Sequence, residues 1–376
     1  MKILFLAHSY PNKDNPAEAT FNRSVASAVS LFNEVAVICG RKNKEQKELY
    51  KFSISREDKI LILRFTYRKT LFQQHYFSAQ LKSMLTAFKK LENEGFIPQV
   101  IQAIGFQMTA AAALLKKKNG IPFVVSEGQE EFILRSLSRK NLEKASFMRA
   151  AAAIMPISKA SQEGIKSYGI KGRFEIVPGT INTNLFFPSP NKNPGGKLKK
   201  IITVARLGFH KGIADILEAL RLLSKKRDDF ICKIIGGGEK EKEKYESTAK
   251  KYQLTSRVFF LGRKSAEEIA EIMRDSDFFL LPTHFEAFGN VFMEAAASGL
   301  PIVGTNVDGV AEYFGNPGFG IFIPPQNIGL LAESVNYMLD HYSEYPTEQN
   351  ARWAKEKFGY ETVGKQLTEI YRSVVK

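Results

Sequence analysis

Two glutamates eight positions apart, Glu286 and Glu294, stand in the segment HFEAFGNVFMEAAASGLPIVG. Glu294 is the one charge in an apolar stretch, with Val291, Phe292 and Met293 before it and Ala295, Ala296 and Ala297 after it. A carboxylate in such surroundings is costly unless it has a partner. Gly289 and Gly299 bracket a helix of about two turns, and Pro301 follows at a normal distance from a helix stop. The spacing places Glu286 on the loop before that helix and Glu294 roughly one turn in, about 6 Å along the axis. The backbone N–H groups of Gly289, Asn290 and Val291 then lie between the two acids and favour an anion or a hydroxyl-rich ligand. Two carboxylates can fix sugar hydroxyls while those N–H groups take a partial negative charge. On this segment alone a plainer reading stays open, with Glu286 as a helix cap and Glu294 on a solvated face.

The elements that would carry these residues alternate along the whole chain. In the first half, strands are expected at Lys2–Ala7, Glu34–Ile38, Ile60–Phe65, Gln99–Ala103, Pro122–Ser126, Ala153–Pro156 and Phe174–Val177. Helices are expected at Glu18–Leu31, Tyr76–Leu91, Gln107–Lys118 and Ser158–Tyr168. The stretch Phe186 to Lys200, rich in Pro, Gly, Asn and Lys, reads as a linker. The alternation restarts with strands at Lys200–Ala205, Phe230–Ile235, Arg257–Leu261, Asp277–Leu281, Pro301–Val303 and Gly320–Ile323. Helices such as Ile213–Leu223, Glu239–Tyr252 and Ala266–Met273 lie between them. Short connections between strand, helix and strand mean parallel sheets covered on both faces. The expectation is an α/β protein of two Rossmann-like domains with parallel sheets facing a central cleft. The boundaries are expected at 1–185 and 200–357, joined by a linker at 186–199. A final crossover helix at 358–376 should pack back toward the first domain through aromatics such as Phe358, Tyr360 and Tyr371.

Ligands of open α/β sheets bind beyond the carboxyl ends of the strands. There the second half gathers Arg206 and Lys211, Gly236-Gly237-Gly238, Gly262-Arg263, Thr283 to Glu286, and Thr305 to Gly309. Cations hold a diphosphate, glycines let backbone approach it, and acids bind hydroxyls, a set that suits a sugar nucleotide. Each motif is weak alone: Arg206 and Lys211 could be surface residues, and a glycine run can be only a tight turn. His284 could act as an acid or base, or stand by. Asp275-Ser276-Asp277 looks like a metal-binding pair of acids but falls at the wrong end of a strand, and no metal site is expected.

The 376 residues are long enough for two cores, and no run of eighteen apolar residues is present. The N-terminal MKILFLAHSYP reads as a first strand and not as a signal peptide. Cys39 and Cys232 read as buried thiols in a reducing compartment. The net charge of +15 is uneven: residues 1–178 hold 28 Lys and Arg against 15 Asp and Glu, and residues 179–376 hold 26 against 24. An anionic partner for the first half would explain the asymmetry.

The segment EAFGNVFMEAAASGLPIVGTNVDGVAEYF resembles the signature of retaining glycosyltransferases of family 4, which share the GT-B fold. VARLGFHKG is similar to their phosphate-binding turn, and KIIGGGEKE, RVFFLGR, SDFFLLPTHFEAFG and VPGTINTNLFFPSP are similar to further blocks. The resemblance runs nearly unbroken from Ile176 to Tyr313 and is looser in the first half, in ILFLAHSYPNKDNP, the stretch from Pro98 to Gly128, and AIMPISKAS. It implies a sugar-nucleotide donor site in the second domain and a glycan or lipid-linked acceptor at the first. By position, Arg206 and Lys211 would hold the diphosphate and Glu286 the sugar ring. Phe288, Gly289, Asn290 and Val291 would offer backbone N–H groups, and Glu294 would bind the ribose. Gly236 and Gly237 would border the phosphates, and Gly262 and Arg263 the base. It also implies retention of anomeric configuration, no metal, and no cofactor, the nucleotide-sugar being a co-substrate. Two places depart from the family's habit. Alanines Ala17 and Ala19 stand where glycines are common, and Glu127-Gly128-Gln129 stands where a histidine is common. Glu127 or Gln129 is expected to take over part of that contact.

Phe77, Leu81, Met84, Phe88 and Leu91 form a helical stripe with Lys82, Lys89 and Lys90 off it. This is either a core-facing helix or a basic, aromatic edge for an anionic membrane, to which Arg41–Lys51 and Lys116–Lys118 would add. The expected place is the cytoplasm, either free or peripheral on the cytoplasmic membrane face. Alternatives are a GT-B sugar-nucleotide epimerase and a non-catalytic sugar-nucleotide-binding protein. A nucleic-acid partner has only charge in its favour, since no helix-turn-helix, RNP or zinc pattern occurs.

Overall fold

The computed structural model describes residues 1–13, 15, 18–43, 47–68, 73–190 and 196–375, without the side chains of 73–79. Ala17, the basic segments at 44–46 and 69–72, linker residues 191–195 and the Phe77 side chain lie outside the described residues. The chain divides into two compact units, Met1–Thr180 with Tyr360–Lys376, and Ile181–Gly359.

The first unit is built on strands β1 (Lys2–Ala7), β2 (Glu34–Asn43), β3 (Tyr50–Glu57), β4 (Ile60–Arg68), β5 (Val100–Ile104), β6 (Phe123–Glu127) and β7 (Ala153–Pro156). Their spatial order is β3-β4-β2-β1-β5-β6-β7, parallel throughout except for the β3–β4 pair. The order turns at β1, because the chain first builds outward through β2 and then returns to pair β5 on the other side. Strand β3 was not expected from the sequence. It is an edge of serines and charges from which Tyr50 and Phe52 pack against the core only in part, so its apolar signal is thin. The expected strand Phe174–Val177 is only an isolated bridge from Phe174 to Ile154. Glu175 and Val177 donate to the carbonyls of Ile154 and Pro156, but Pro156 has no N–H to return, so the ladder stops there.

The final helix, Tyr360–Val374, belongs to this first unit. Val363, Leu367, Ile370 and Tyr371 join the core formed by Ile3, Phe5, Val25 and Val29. Helix Thr20–Ser30 approaches so closely that a Cβ on Gly364 would lie 2.3 Å from the carbonyl oxygen of Ala28. The buried Tyr371 hydroxyl donates to Gln102 Oε1, and Gln102 Nε2 donates to Ser126 Oγ at 2.6 Å. This chain pins the helix to the middle of the sheet. Phe358 stays with the second unit, in an aromatic cage with Phe288, Tyr313, Phe314 and Trp353.

The second unit has six parallel strands: β8 (Lys199–Val204), β9 (Phe230–Ile235), β10 (Val258–Gly262), β11 (Phe278–Leu281), β12 (Ile302–Thr305) and β13 (Gly320–Ile323). Their order is β10-β9-β8-β11-β12-β13, with the switch at the β8–β11 pair. Residues 181–190 travel with this unit. Ile181 donates to the Phe358 carbonyl, and the Arg274 guanidinium covers the Phe187 ring. Among the described residues no helix is long and apolar enough to cross a membrane.

Tyr371→Phe leaves Gln102 Oε1 buried without its donor and should cost about 1–3 kcal/mol. Thermal unfolding would show this as a lower Tm, with Tyr371→Ala worse because it also leaves a cavity. Equal melting of wild type and Tyr371→Phe would remove the anchoring role.

Candidate active site

The loops at the carboxyl edge of the second sheet are sewn to one another by backbone hydrogen bonds. Ala205 N–H donates to Ile235 O (3.0 Å), Leu207 N–H to Gly237 O (3.1 Å), and Gly236 N–H to Gly262 O (2.9 Å). Only glycine fits at 236, where a Cβ would lie 1.8 Å from the Ala205 carbonyl oxygen. Gly237 has the Arg263 side chain lying across it, with its would-be Cβ 2.0 Å from Arg263 Nε. Sequence spacing could list these glycines but could not say which strand each would touch.

The next two loops are joined in the same way. His284 N–H donates to His210 O (2.7 Å), and the Thr283 hydroxyl donates within reach of both His210 O and Phe285 O. The His210 ring stacks on Phe285 with centroids 4.6 Å apart. His284 Nε2 lies 2.7 Å from Asp215 Oδ2, each side chain largely buried. His284 therefore has a fixed partner and braces this edge. Asp215 was missed in the sequence, although an acid in the first turn of helix Ile213–Leu223 was the available signal.

These contacts bring Lys211 and Glu286 together. Lys211 Nζ donates to Glu286 Oε2 at 2.8 Å, with each side chain only 12% exposed. The other oxygen, Glu286 Oε1, accepts from Ala287 N–H at 3.2 Å. Glu286 is thus neither a bare cap nor a solvated acid but half of an ion pair. Arg206 stands two residues past the end of β8, exposed, with no side-chain hydrogen bond or ion pair to another described residue. Arg263 is likewise exposed beyond β10.

The helix expected between the two glycines spans Asn290–Ala297, and its N-cap Gly289 has φ 83°, a left-handed conformation open to glycine at little cost. No protein acceptor takes the N–H groups of Phe288, Gly289, Asn290 or Val291 among the described residues. Asn290 Oδ1 is enclosed and has no hydrogen-bond partner. The Phe288 ring itself is buried edge-to-face against Tyr313 and Phe358, so its contribution to a ligand is backbone only. Glu294 is half-buried, and no described residue pairs with its carboxyl. Desolvation pushes its pKa up to about 8. The partner that the sequence demands for Glu294 is not supplied by the protein.

Three of the expected residues, Glu127, Gln129 and Ala19, belong to the first unit. The Glu127 carboxylate is 2% exposed and accepts from the N–H groups of Phe106 (2.7 Å) and Gln129 (2.9 Å). Burial raises its pKa to about 7 against the pull of those bonds. Gln129 forms a reciprocal amide pair with Gln107, at 2.7 and 2.9 Å. Within this unit the Glu127 oxygens brace the loops after β5 and β6. Ala19 caps helix Thr20–Ser30 at φ 50°, ψ 40°, a left-handed position that costs an alanine about 1–2 kcal/mol. At the opposite edge of the second sheet, Asp275 pairs with Lys200 and Lys233, and Asp277 accepts the Lys200 N–H, so both acids are engaged structurally.

Residues 188–358 match the family model described as "Glycosyl transferases group 1". That span fills nearly all of the second unit. An uncharacterized glycosyltransferase of Methanocaldococcus jannaschii is 25% identical over 290 residues, 76% of this chain and 77% of that protein. The N,N'-diacetylbacillosaminyl-diphospho-undecaprenol alpha-1,3-N-acetylgalactosaminyltransferase of Campylobacter jejuni is 24% identical over 78% of this chain and 84% of that protein. A glycogen synthase of Mycobacterium tuberculosis is 28% identical, but the match spans 49% of this chain and less than half of that protein, 45%. Sucrose-phosphate synthase from Thermosynechococcus elongatus superposes with a TM-score of 0.79 at 17% identity, over 99% of this chain and 98% of that one. Anabaena HepE, solved with UDP and glucose, gives 0.75 at 18% identity over 99% and 100%. The fold is the GT-B fold, as expected from the sequence.

A carboxyl whose folded-state pKa is raised stabilises fully only below its unfolded value, and that stability is lost as pH rises through the folded one. For Glu294 the window runs from the ordinary 4.5 to about 8. The ligand-free protein should lose on the order of 1–3 kcal/mol across this window on account of Glu294. Glu294→Gln should flatten the slope of Tm against pH in that range. A variant with the wild-type slope would show that the carboxyl is solvated.

Proposed function

We propose that the protein is a retaining glycosyltransferase of family 4. In this reading it moves a hexose-type sugar from a nucleotide-sugar donor to a glycan or lipid-linked acceptor during polysaccharide or glycolipid synthesis. The observation that carries this reading is the Lys211–Glu286 pair, 2.8 Å apart and largely out of water at the ligand edge of the second sheet. A pair at such depth repays its desolvation poorly as a stabiliser, so a functional reason for it is the stronger account.

Lys211 and the unpartnered Arg206 would hold the donor diphosphate. The open N–H groups of Gly289, Asn290 and Val291 would add to that field, and Glu286 would set the sugar ring by its hydroxyls. Glu294 would accept from the ribose hydroxyls, gaining the partner it lacks. In the transfer, the bond from the anomeric carbon to the diphosphate oxygen breaks, and the diphosphate leaves with the electron pair. The acceptor hydroxyl oxygen bonds the same face of that carbon and gives its proton to the departing diphosphate oxygen. Negative charge grows on the diphosphate in the transition state, which makes the two cations catalytic and not merely adhesive. The nucleotide-sugar is a co-substrate here, and no metal or separate cofactor enters. The first unit would serve the acceptor, working in the cytoplasm or on the cytoplasmic membrane face.

A thermal-shift screen with UDP-, GDP- and ADP-sugars should show one donor raising the Tm by mass action. Glu294→Ala should abolish the shift, while Arg206→Ala or Lys211→Ala should lower kcat about 10²–10³-fold. Binding without nucleotide release would instead favour a non-catalytic sugar-nucleotide receptor, and no binding by any donor would defeat both.

The basic first unit should also draw the protein to anionic vesicles, with binding that falls as salt rises. Failure to bind phosphatidylserine-containing vesicles at low salt would remove the membrane from this scheme.

A further inference from the structure

We propose that Phe209 is a sugar-stacking residue, whose open ring takes the apolar face of a pyranose beside the Lys211–Glu286 pair. The pyranose belongs to the donor or to the acceptor of the proposed reaction, so the assignment rests on the glycosyltransferase reading.

The segment between β8 and helix Ile213–Leu223 carries two apolar side chains. Leu207 enters the core of the second unit and is 2% exposed. Phe209 does not follow it. At 72% it is the most exposed large hydrophobic side chain among the described residues. A lone apolar residue on a surface is ordinary and carries no meaning by itself. The place and the rigidity of this one set it apart.

The loops after β8 and β11 run in register. Phe209 meets His284, His210 meets Phe285, and Lys211 meets Glu286. Three successive residues of one loop thus pair with three successive residues of the other. Phe209 stands at one end of this ladder and the ion pair at the other. At most about 7 Å of backbone separates Phe209 from Lys211. A sugar set by Glu286 therefore lies within reach of the ring.

Both rails of the ladder are fixed. Lys211 N–H donates to Gly208 O (3.0 Å) and Gly212 N–H to Phe209 O (3.3 Å), which closes the turn around Phe209. A Cβ on Gly212 would lie 2.1 Å from the Pro282 carbonyl oxygen, so the two loops touch backbone to backbone. His284 is held by Asp215 at 2.7 Å. Its ring meets Phe209 with 5.3 Å between centroids and 83° between planes. An edge-to-face contact of this kind covers at most one face of Phe209 and leaves the other open.

The C–H groups on one side of a pyranose bear slight positive charge and pack on the negative face of an aromatic ring. The hydroxyls at the rim of the sugar stay free for acceptors such as Glu286. A ring already held in place loses little conformational freedom when a ligand settles on it. Nucleobases also stack on aromatic rings, so bare nucleoside diphosphates serve as the control.

The test is calorimetric titration of wild type, Phe209→Ala, Phe209→Leu and Phe209→Trp. The donor arm uses UDP-glucose, UDP-N-acetylglucosamine, GDP-mannose and ADP-glucose, each against its bare diphosphate. The acceptor arm uses methyl α-glucoside and methyl α-mannoside in the presence of that diphosphate. All three variants should melt like the wild type, because the ring lies outside the core. Phe209→Ala and Phe209→Leu should weaken binding of a sugar nucleotide or a methyl glycoside about three- to tenfold. Phe209→Trp should restore it, and diphosphate binding should not change. A loss confined to sugar nucleotides assigns the ring to the donor, and one confined to methyl glycosides to the acceptor. Wild-type affinity in Phe209→Ala or Phe209→Leu, an equal loss for the bare diphosphate, or no sugar binding at all would each overturn the stacking role. Sugar-nucleotide binding that is indifferent to Phe209 would leave the glycosyltransferase reading intact. Methyl glycosides held by Phe209 without any nucleotide binding would end that reading and keep the stacking role.

Discussion

The ion pair between Lys211 and Glu286 is the constraint around which the second unit's loops are arranged. Its partners are 75 residues apart in sequence and come from loops after two adjacent strands, β8 and β11. Holding them at 2.8 Å requires both loops to be fixed before any ligand arrives. That is achieved by His210 accepting from His284 and Thr283, by the His210–Phe285 stack and by the Asp215–His284 contact. The charged groups are therefore oriented by neutral and backbone contacts and not by a ligand. An arrangement built for stability alone would not place so well shielded an ion pair at the carboxyl edge of a sheet.

Glu294 shows the same logic from the opposite side. It is a charge enclosed without compensation, next to four backbone N–H groups and an Asn290 oxygen that also lack partners. Unsatisfied polar groups are rare in folded proteins and gather where something else completes them. The elevated pKa of Glu294 is the measure of that incompleteness. By contrast Glu127, also buried and raised, has two N–H donors of its own, and its role is to hold loops together. Two carboxyls with raised pKa thus differ in what surrounds them: Glu127 has protein donors and Glu294 has none among the described residues.

The first unit carries its charge on a structural extension. β2, β3 and β4 project beyond the strand that starts the chain, and most of the lysines and arginines lining two adjoining cavities there sit on or between these strands. The uneven charge distribution therefore has a physical address as well as a sign. The closing helix is tied to the same unit through Tyr371, Gln102 and Ser126, so the last residues of the chain help stabilise a sheet that begins with the first.

Much of this was written in the sequence. Short apolar runs such as FICKII, broken only by Lys233, and GIFI point to buried parallel strands, and their bounds agree with the structure. Gly289 and Gly299 fixed the ends of the helix that bears Glu294, because both need positive φ. Cation, glycine and acid types at strand ends singled out the carboxyl edge of the second sheet as a candidate site without any coordinates. What the sequence could not determine depended on contacts between distant segments. The edge strand β3 buries too little to leave a pattern, and Pro156 silently ends a ladder that periodicity would have continued. That Glu286 faces Lys211, that His284 is claimed by Asp215, and that Glu127 turns inward were decided only when neighbouring strands set their loops side by side. Residue types limit which bonds can form, but tertiary packing decides which donor reaches which acceptor first.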